Sequence, residues 1–293
     1  MLLIQPDIAP KPILTLGFGD SETLNALDKD ESSPYRLLEE REFGSNCTAA
    51  DSTPVYDEGA ASYDRNINRE EYFMAMSFWR KWVANQVVTA SVLGKQNISA
   101  DGRRLPDVLE VSAGTGRNIP FLDVAKIGTI TFTDASSAML DICREKFQKR
   151  FPKYKYARFS TIPAEFVHTS EISPLKNKKY DVVYETFGLC SHADPIKALQ
   201  EMLGALKPGG RVVLVEHGRS KYKWLNKILD NGAIIRARKW GCRWNLDIDE
   251  IVRQTGAEVL YHDRSHLGTT YSFVLKRPDD NIVDATEKKY RFF

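Results

Sequence analysis

Two acids and two glycines, Glu110, Gly114, Gly116 and Asp134, have the types and spacing that could do chemistry in this chain. Glu110 lies inside the apolar run Asp107-Val108-Leu109-Glu110-Val111, which reads as a buried parallel strand, and an acid there is a receptor for a cationic ligand. The turn that follows, Ser112-Ala113-Gly114-Thr115-Gly116-Arg117-Asn118, lets backbone approach a ligand more closely than a side chain would allow. Asp134 ends the next apolar run, Gly128 to Thr133, twenty-four residues beyond Glu110. An acid at that place hydrogen-bonds both hydroxyls of a ribose. These groups together frame one nucleoside site. A dinucleotide is not expected in it: with Gly114 on the middle glycine of G-x-G-x-x-G, Ser112 and Arg117 take the outer positions, and the pyrophosphate cradle is lost. Glu110 suits instead the amino group of a methionine moiety.

The elements that must position these residues follow from periodicity. A helical pattern starts at Tyr56, and Tyr72, Phe73, Met76, Phe78, Trp79, Trp82 and Val83 make one apolar helix face ahead of the first strand. A helix is expected after the glycine turn, near Asn118 to Leu122. Ser136 and Ser137 are N-caps for a helix through Met139, Leu140, Ile142 and Phe147, which ends before Phe151-Pro152. Tyr154 to Phe159 and Tyr180 to Glu185 read as strands, Pro195 to Leu206 as a helix, and Lys207-Pro208-Gly209-Gly210 as the turn into a strand at Arg211 to Glu216. Strand and helix alternate, so the class is α/β with a mainly parallel sheet. The tail breaks that rhythm: a helix at Asp247 to Thr255 precedes strands at Glu258 to His262 and Tyr271 to Lys276 that are too close for a crossover and must pair antiparallel.

The motif at Glu110 to Asn118 resembles the first motif of class I S-adenosylmethionine-dependent methyltransferases, whose seven-stranded, mostly parallel sheet has helices on both faces and a terminal antiparallel hairpin. The wider resemblance, from about Tyr63 to Arg277, is to the UbiE-type superfamily. Within it the chain is most similar to fungal mitochondrial inner-membrane methyltransferase-like proteins and, more distantly, to animal alkyl-thiol methyltransferases. The distinctive blocks are Glu110 to Asn118, Phe187-Gly188-Leu189-Cys190-Ser191-His192, Glu216-His217-Gly218-Arg219, Trp240 to Asp247, and His266-Leu267-Gly268-Thr269-Thr270. S-adenosyl-L-methionine is therefore the expected cofactor. Its methionine end is assigned to Glu110, Ser112, Ala113, Gly114, Thr115, Gly116 and Asn118, and its ribose to Asp134 with Ala135. Met139, Ala164 and Glu165 fall by the adenine. Glu185, Thr186 and Phe187 border the methyl donor, and Tyr63, with Asp64, lids it. His192 and His217 are the candidate catalytic residues, since a histidine can remove a proton from an acceptor hydroxyl or thiol at neutral pH. No metal is expected.

Composition bounds the rest. A chain of 293 residues holds one α/β domain of about 230 residues and a smaller appendage. The organisation read from it is an acidic, weakly structured arm over 1–55, with a short helix near Tyr35 to Arg41, a catalytic domain over 56–277 and a tail over 278–293. Residues 1 to 60 carry twelve acids against four bases, which leaves the remainder at +10 from a total of +2. Cys47, Cys143, Cys190 and Cys242 lie far apart without a C-x-x-C pair, which indicates neither a zinc knot nor a disulfide framework. Pro6, Pro10, Pro12 and Asp7 interrupt the apolar start, so a signal core or membrane span is not read there, and no transmembrane helix is read elsewhere. The fungal relatives carry a membrane-spanning segment before the catalytic domain, where this chain shows the acidic arm. The resemblance implies a mitochondrial location, at the inner membrane or in the matrix, with the cytoplasm as the alternative.

The expected acceptor is a small apolar molecule, a quinone-like phenol or a thiol, walled by the aromatic run Trp240 to Asn245. Trp224, Leu225, Ile228, Leu229 and Ile235 form one helical stripe, with Lys221, Lys223, Lys227, Arg236, Arg238 and Lys239 elsewhere on the same segment. Such a helix either lids the core with snorkelling bases or rests on an anionic membrane surface. Two rival readings keep the fold: a catalytically silent cofactor-binding assembly factor of mitochondrial complexes, and an RNA methyltransferase, for which no separate RNA-binding module is found.

Overall fold

A computed structural model describes residues 51–89 and 105–280. Most of the acidic arm, with its expected short helix, and the end of the tail lie outside the described residues. Two helices, α1 (Thr53–Phe73) and α2 (Met76–Thr89), precede β1 (Asp107–Val111) and β2 (Thr129–Asp134). Next come α3 (Ser137–Arg150), β3 (Ala157–Thr161), β4 (Tyr180–Thr186), α4 (Pro195–Gly204) and β5 (Leu206–His217). The chain closes with α5 (Lys223–Trp240), α6 (Ile248–Thr255), β6 (Glu258–Ser265) and β7 (Thr270–Lys276).

The seven strands form one sheet in the order β3-β2-β1-β4-β5-β7-β6. β1 to β5 run parallel, while β7 pairs antiparallel with both β5 and β6. Strand order reverses between β1 and β4, and a crevice at the carboxyl ends of strands opens at such a switch point. Alternation along the strands divides the core in two. Leu109, Val111, Val183, Leu214 and Phe273 pack with Ala198, Leu199 and Met202 of α4 and with Ile251 of α6. Val108, Ile130, Phe132, Val182 and Val215 pack with Trp79, Val83 and Val87 of α2 and with Leu140, Cys143 and Phe147 of α3.

Local chemistry sets several ends, that at Ser136 as expected. The Ser136 hydroxyl accepts the Met139 N–H (3.1 Å) at the start of α3, and Asp247 accepts that of Glu250 (3.1 Å) at the start of α6. Gly241 (φ 64°) ends α5 in the left-handed conformation that L-residues avoid.

Other expectations are corrected. The apolar stripe before β1 is not one helix face: the chain breaks between α1 and α2 at Ala75 (φ 49°), which turns Tyr72, Phe73 and Phe78 to solvent while Met76, Trp79 and Val83 are buried. No α-helix follows the glycine turn. Short 3-10 turns at Ile119–Phe121 and Val124–Lys126 fill that crossover, because Leu122 returns to extended backbone. β3 is an edge strand displaced toward its carboxyl end, and Tyr154 instead places its hydroxyl on the carbonyls of Ile127 (3.3 Å) and Gly128 (3.2 Å). The Lys207 to Gly210 turn is absorbed as an irregularity within β5, where Gly209 (φ 77°) takes the left-handed bend.

Candidate active site

A cavity of about 1390 Å³ lies at the carboxyl ends of β1 to β5, between α1 and α5. Small-molecule pockets run to about 300–1,000 Å³, so this space accommodates two molecules side by side. Ser112, Ala113, Gly114 and Thr115 line it from the β1 turn. Asp134, Ala135 and Met139 line it from β2 and α3, and Ala164 and Glu165 from the turn after β3. Thr186 and Phe187 line it from the end of β4, and Tyr63, His192 and His217 line it as well.

Two strand ends are bent to face this space. Ser112 (φ 52°) after β1 and Phe187 (φ 60°) after β4 are non-glycine residues in the left-handed region. Such strain clusters at ligand sites and costs about 1–3 kcal/mol per residue. Asp134 ties the bent turn down: its Oδ2 accepts the Gly114 N–H (2.7 Å) and its Oδ1 the Ser136 N–H (2.9 Å). Burial, partly offset by those bonds, pushes its carboxyl up to about 6. The two glycines differ. A Cβ on Gly114 would meet no atom within 4 Å, whereas one on Gly116 would stand 2.4 Å from Ile119 Cδ1 and 3.0 Å from Cys143 Sγ.

Glu110 is not among the residues that line the cavity. Period-two alternation puts its side chain on the same face as Val108, toward the α2 layer. Its carboxylate is 1% exposed there, accepting from Asn118 Nδ2 (2.8 Å) and from the Tyr184 hydroxyl. Burial pushes it up to about 7. Gly116, Asn118 and Glu185 likewise sit behind the cavity wall. Asn118 donates to Thr186 Oγ1 (3.0 Å), so Glu110 acts on the site through Asn118 and a wall residue. Glu185 is fully buried and accepts from His192 Nε2 (2.7 Å). Burial opposes charge on His192, but the Glu185 carboxylate outweighs it and raises the imidazole.

α1 is locked over the glycine turn by ions. Asp64 accepts from Thr115 Oγ1 (2.6 Å) and Arg117 Nη1 (3.1 Å), while Glu71 binds Arg80 (2.5 Å) and Arg117 (2.7 Å). Arg80 is itself buried. It donates to Asn118 Oδ1 (2.8 Å) and Thr186 Oγ1 (3.2 Å), and its guanidinium lies 5.7 Å from the Phe187 ring centre. Sequence reading missed Arg80, because a lone arginine on an apolar helix carries no signal of its target.

The far end of the cavity is apolar. Leu225, Ile228, Leu229 and Ile235 line it along one side of α5, with Trp240 and Trp244 beyond. Trp224 departs from the expected stripe and is 57% exposed. Arg236 lies over the Trp244 ring (4.9 Å). Three residues from separate segments meet here: Cys190 after β4, His217 at the end of β5 and Cys242 after α5. Their ligand atoms all lie within 4.8 Å of one another, and Cys242 Sγ is 3.1 Å from His217 Nε2. A hydrogen bond from Cys190, then His217 and Arg236, hold the Cys242 thiol low, while the same contact and burial push Cys190 up. Gaps of 27 and 25 residues concealed this cluster in the sequence.

Residues 109–214 match the family described as methyltransferase domain. Over 240 residues the chain is 44% identical to the mitochondrial methyltransferase OMS1 of Saccharomyces cerevisiae, covering 79% of this chain and 47% of that protein. It is 31% identical over 132 residues to the ubiquinone/menaquinone biosynthesis C-methyltransferase UbiE of Idiomarina loihiensis, covering 44% and 49%. The chain thus spans about half the length of these relatives. Magnesium protoporphyrin IX methyltransferase from Synechocystis PCC 6803 shares the fold, with a TM-score of 0.53 at 15% identity over 78% of this chain and 100% of that one.

Proposed function

From the match of residues 109–214 to the methyltransferase domain family, we propose that the protein transfers the methyl group of S-adenosylmethionine to a small apolar acceptor, a thiol or a quinone-like phenol. The observation that carries this reading is the open space at Gly114. Backbone held at φ 53° by the Asp134 carboxylate faces an empty volume that any side chain would begin to fill.

When bound, S-adenosylmethionine supplies a methyl group already activated by the sulfonium charge. The protein's part is then to orient two molecules and exclude water, which can account for much of the acceleration of such a displacement. The ionised Asp134 carboxylate receives the ribose hydroxyls while keeping its backbone bonds. Ala135 and Met139 pack against the adenine, with Glu165 at its edge. The turn Ser112 to Thr115 cradles the methionine end, and Tyr63 covers it from α1. Phe187 separates this half from the apolar half, where the α5 stripe, Trp240 and Trp244 hold the acceptor. Of the two candidate histidines, His192 has its Nε2 engaged by Glu185 at 2.7 Å, and His217, with its Nε2 3.1 Å from Cys242 Sγ, is the one that stands beside the apolar half.

Among the described residues no helix is long and apolar enough to cross a membrane. The cavity rim is nevertheless greasy: Phe73 lines the cavity and is 61% exposed, near Tyr72, and Trp224 stands exposed beside Leu225. Lys223, Lys227 and Arg69 accompany these rings in sequence, a composition suited to an anionic membrane surface. Mitochondrial residence is proposed on the similarity to the yeast relative. The acceptor class is tested by incubating the protein with methyl-labelled S-adenosylmethionine and a panel of thiols and phenols. Labelled thioether or ether is the expected product. Failure to form S-adenosylhomocysteine with any acceptor overturns the proposal.

A further inference from the structure

We propose that Cys190, His217 and Cys242 bind a soft or borderline divalent cation, zinc above all, with its fourth coordination position open to the cavity. Two thiolates and one imidazole are a donor set used by catalytic zinc sites that keep one position for water or substrate. With metal–sulfur bonds of about 2.3 Å and metal–nitrogen bonds of about 2.0–2.1 Å, a tetrahedral ion needs its donors roughly 3.5–3.8 Å apart. The observed Cys242–His217 contact of 3.1 Å and the 4.8 Å limit on the whole group bracket that requirement.

The surroundings suit a cation on one further count. All three donors line the cavity, so the side facing away from the protein opens onto ligand space rather than onto packed core.

The identity of the fourth ligand rests on the methyl-transfer reading; the ion does not. An acceptor thiol or phenol entering the open position gives up its proton to solvent and binds as thiolate or phenolate. A lone pair on that sulfur or oxygen forms the new bond to the methyl carbon. The carbon–sulfonium bond breaks, its electron pair stays on the departing sulfur as S-adenosylhomocysteine, and the neutral methylated product leaves the metal. His217 then serves as a ligand, and the metal takes over the acidifying role.

The test is anaerobic titration of the reduced, chelator-treated full chain with cobalt(II). One equivalent is expected to give a near-ultraviolet thiolate-to-cobalt band with tetrahedral bands in the visible, all displaced by zinc. Cys190→Ser, Cys242→Ser and His217→Gln each abolish or shift those bands. Zinc is expected to raise the melting temperature of the wild-type chain and not that of the Cys190→Ser/Cys242→Ser pair. Absence of the bands, their survival in the double variant, or a Cys190–Cys242 disulfide in the untreated protein overturns the site. Calorimetry with S-adenosylhomocysteine on the same sample separates the two readings. Cobalt binding without nucleoside binding defeats the methyl-transfer reading alone, and the reverse defeats the metal site alone.

Discussion

Adding one methyl group to each glycine of the turn should damage the protein in two different ways. At Gly116 (φ 77°) the new Cβ lands 2.4 Å from Ile119 Cδ1, 3.0 Å from Cys143 Sγ and 3.3 Å from Cys143 Cα. Ile119 and Cys143 are both buried and have little room to retreat. Left-handed backbone on an L-residue costs about 1–2 kcal/mol, and an overpacked core adds about 1–3 kcal/mol. Gly116→Ala should therefore lose about 2–5 kcal/mol, and at about 2–4 °C per kcal/mol for a domain of this size it should melt roughly 4–20 °C lower. Gly114→Ala incurs only the backbone strain, about 1–2 kcal/mol, because nothing lies within 4 Å of its Cβ. Its methyl group enters the space assigned to the ligand, and a loss of about 1.4 kcal/mol or more there weakens S-adenosylhomocysteine binding about tenfold or more. Differential scanning calorimetry and titration calorimetry, the latter run well below both melting temperatures, measure the two losses. Stability should fall further at position 116, and binding at position 114. A Gly114→Ala protein that binds like wild type, or a Gly116→Ala protein that melts like wild type, refutes the reasoning.

Three more outcomes are expected. Burial raises the Asp134 carboxyl from its ordinary 3.8 to about 6, with Glu185 adding to the rise and His192 opposing it. Protonation below that pH removes the acceptor for the ribose hydroxyls, so affinity for S-adenosylhomocysteine should fall as pH drops through about 6. Asp134→Asn should be weak and lack that step; an identical pH profile in both would sink the assignment. Arg80→Ala leaves Asn118 Oδ1 without its donor and Glu71 with Arg117 alone, and loss of a buried ionic partner costs about 3–5 kcal/mol. Denaturant unfolding reads that loss, and a change below about 1 kcal/mol would mean the lock over the turn contributes little. Phe73→Ser with Trp224→Ser should cut co-sedimentation with anionic vesicles several-fold, and wild-type protein that fails to sediment contradicts the membrane proposal.

Much of the architecture was legible because its signals are local. Val108 to Val111 and Tyr180 to Glu185 are apolar enough to be buried strands whatever surrounds them. Ser136 and Asp247 cap helices through bonds three residues long, and the short gap between β6 and β7 permits only a hairpin. Asp134 and the glycines were singled out for the same reason. What escaped depends on orientation or on distant meetings. Glu110 is in the right strand but its side chain turns to the α2 layer, a choice set by sheet register and by Tyr184, seventy-four residues away. The break at Ala75 carries no glycine or proline to announce it. Arg80 and the meeting of Cys190, His217 and Cys242 exist only once β4, β5 and α5 bring their ends together.

Titration calorimetry of the full chain with S-adenosylhomocysteine, in wild type and Asp134→Ala, bears most directly on the assignment of the cavity. Saturable one-to-one binding by the wild type, weakened about tenfold or more in a variant that still unfolds cooperatively, is the predicted result. No heat from the wild type, or equal affinity in the two proteins, would contradict it.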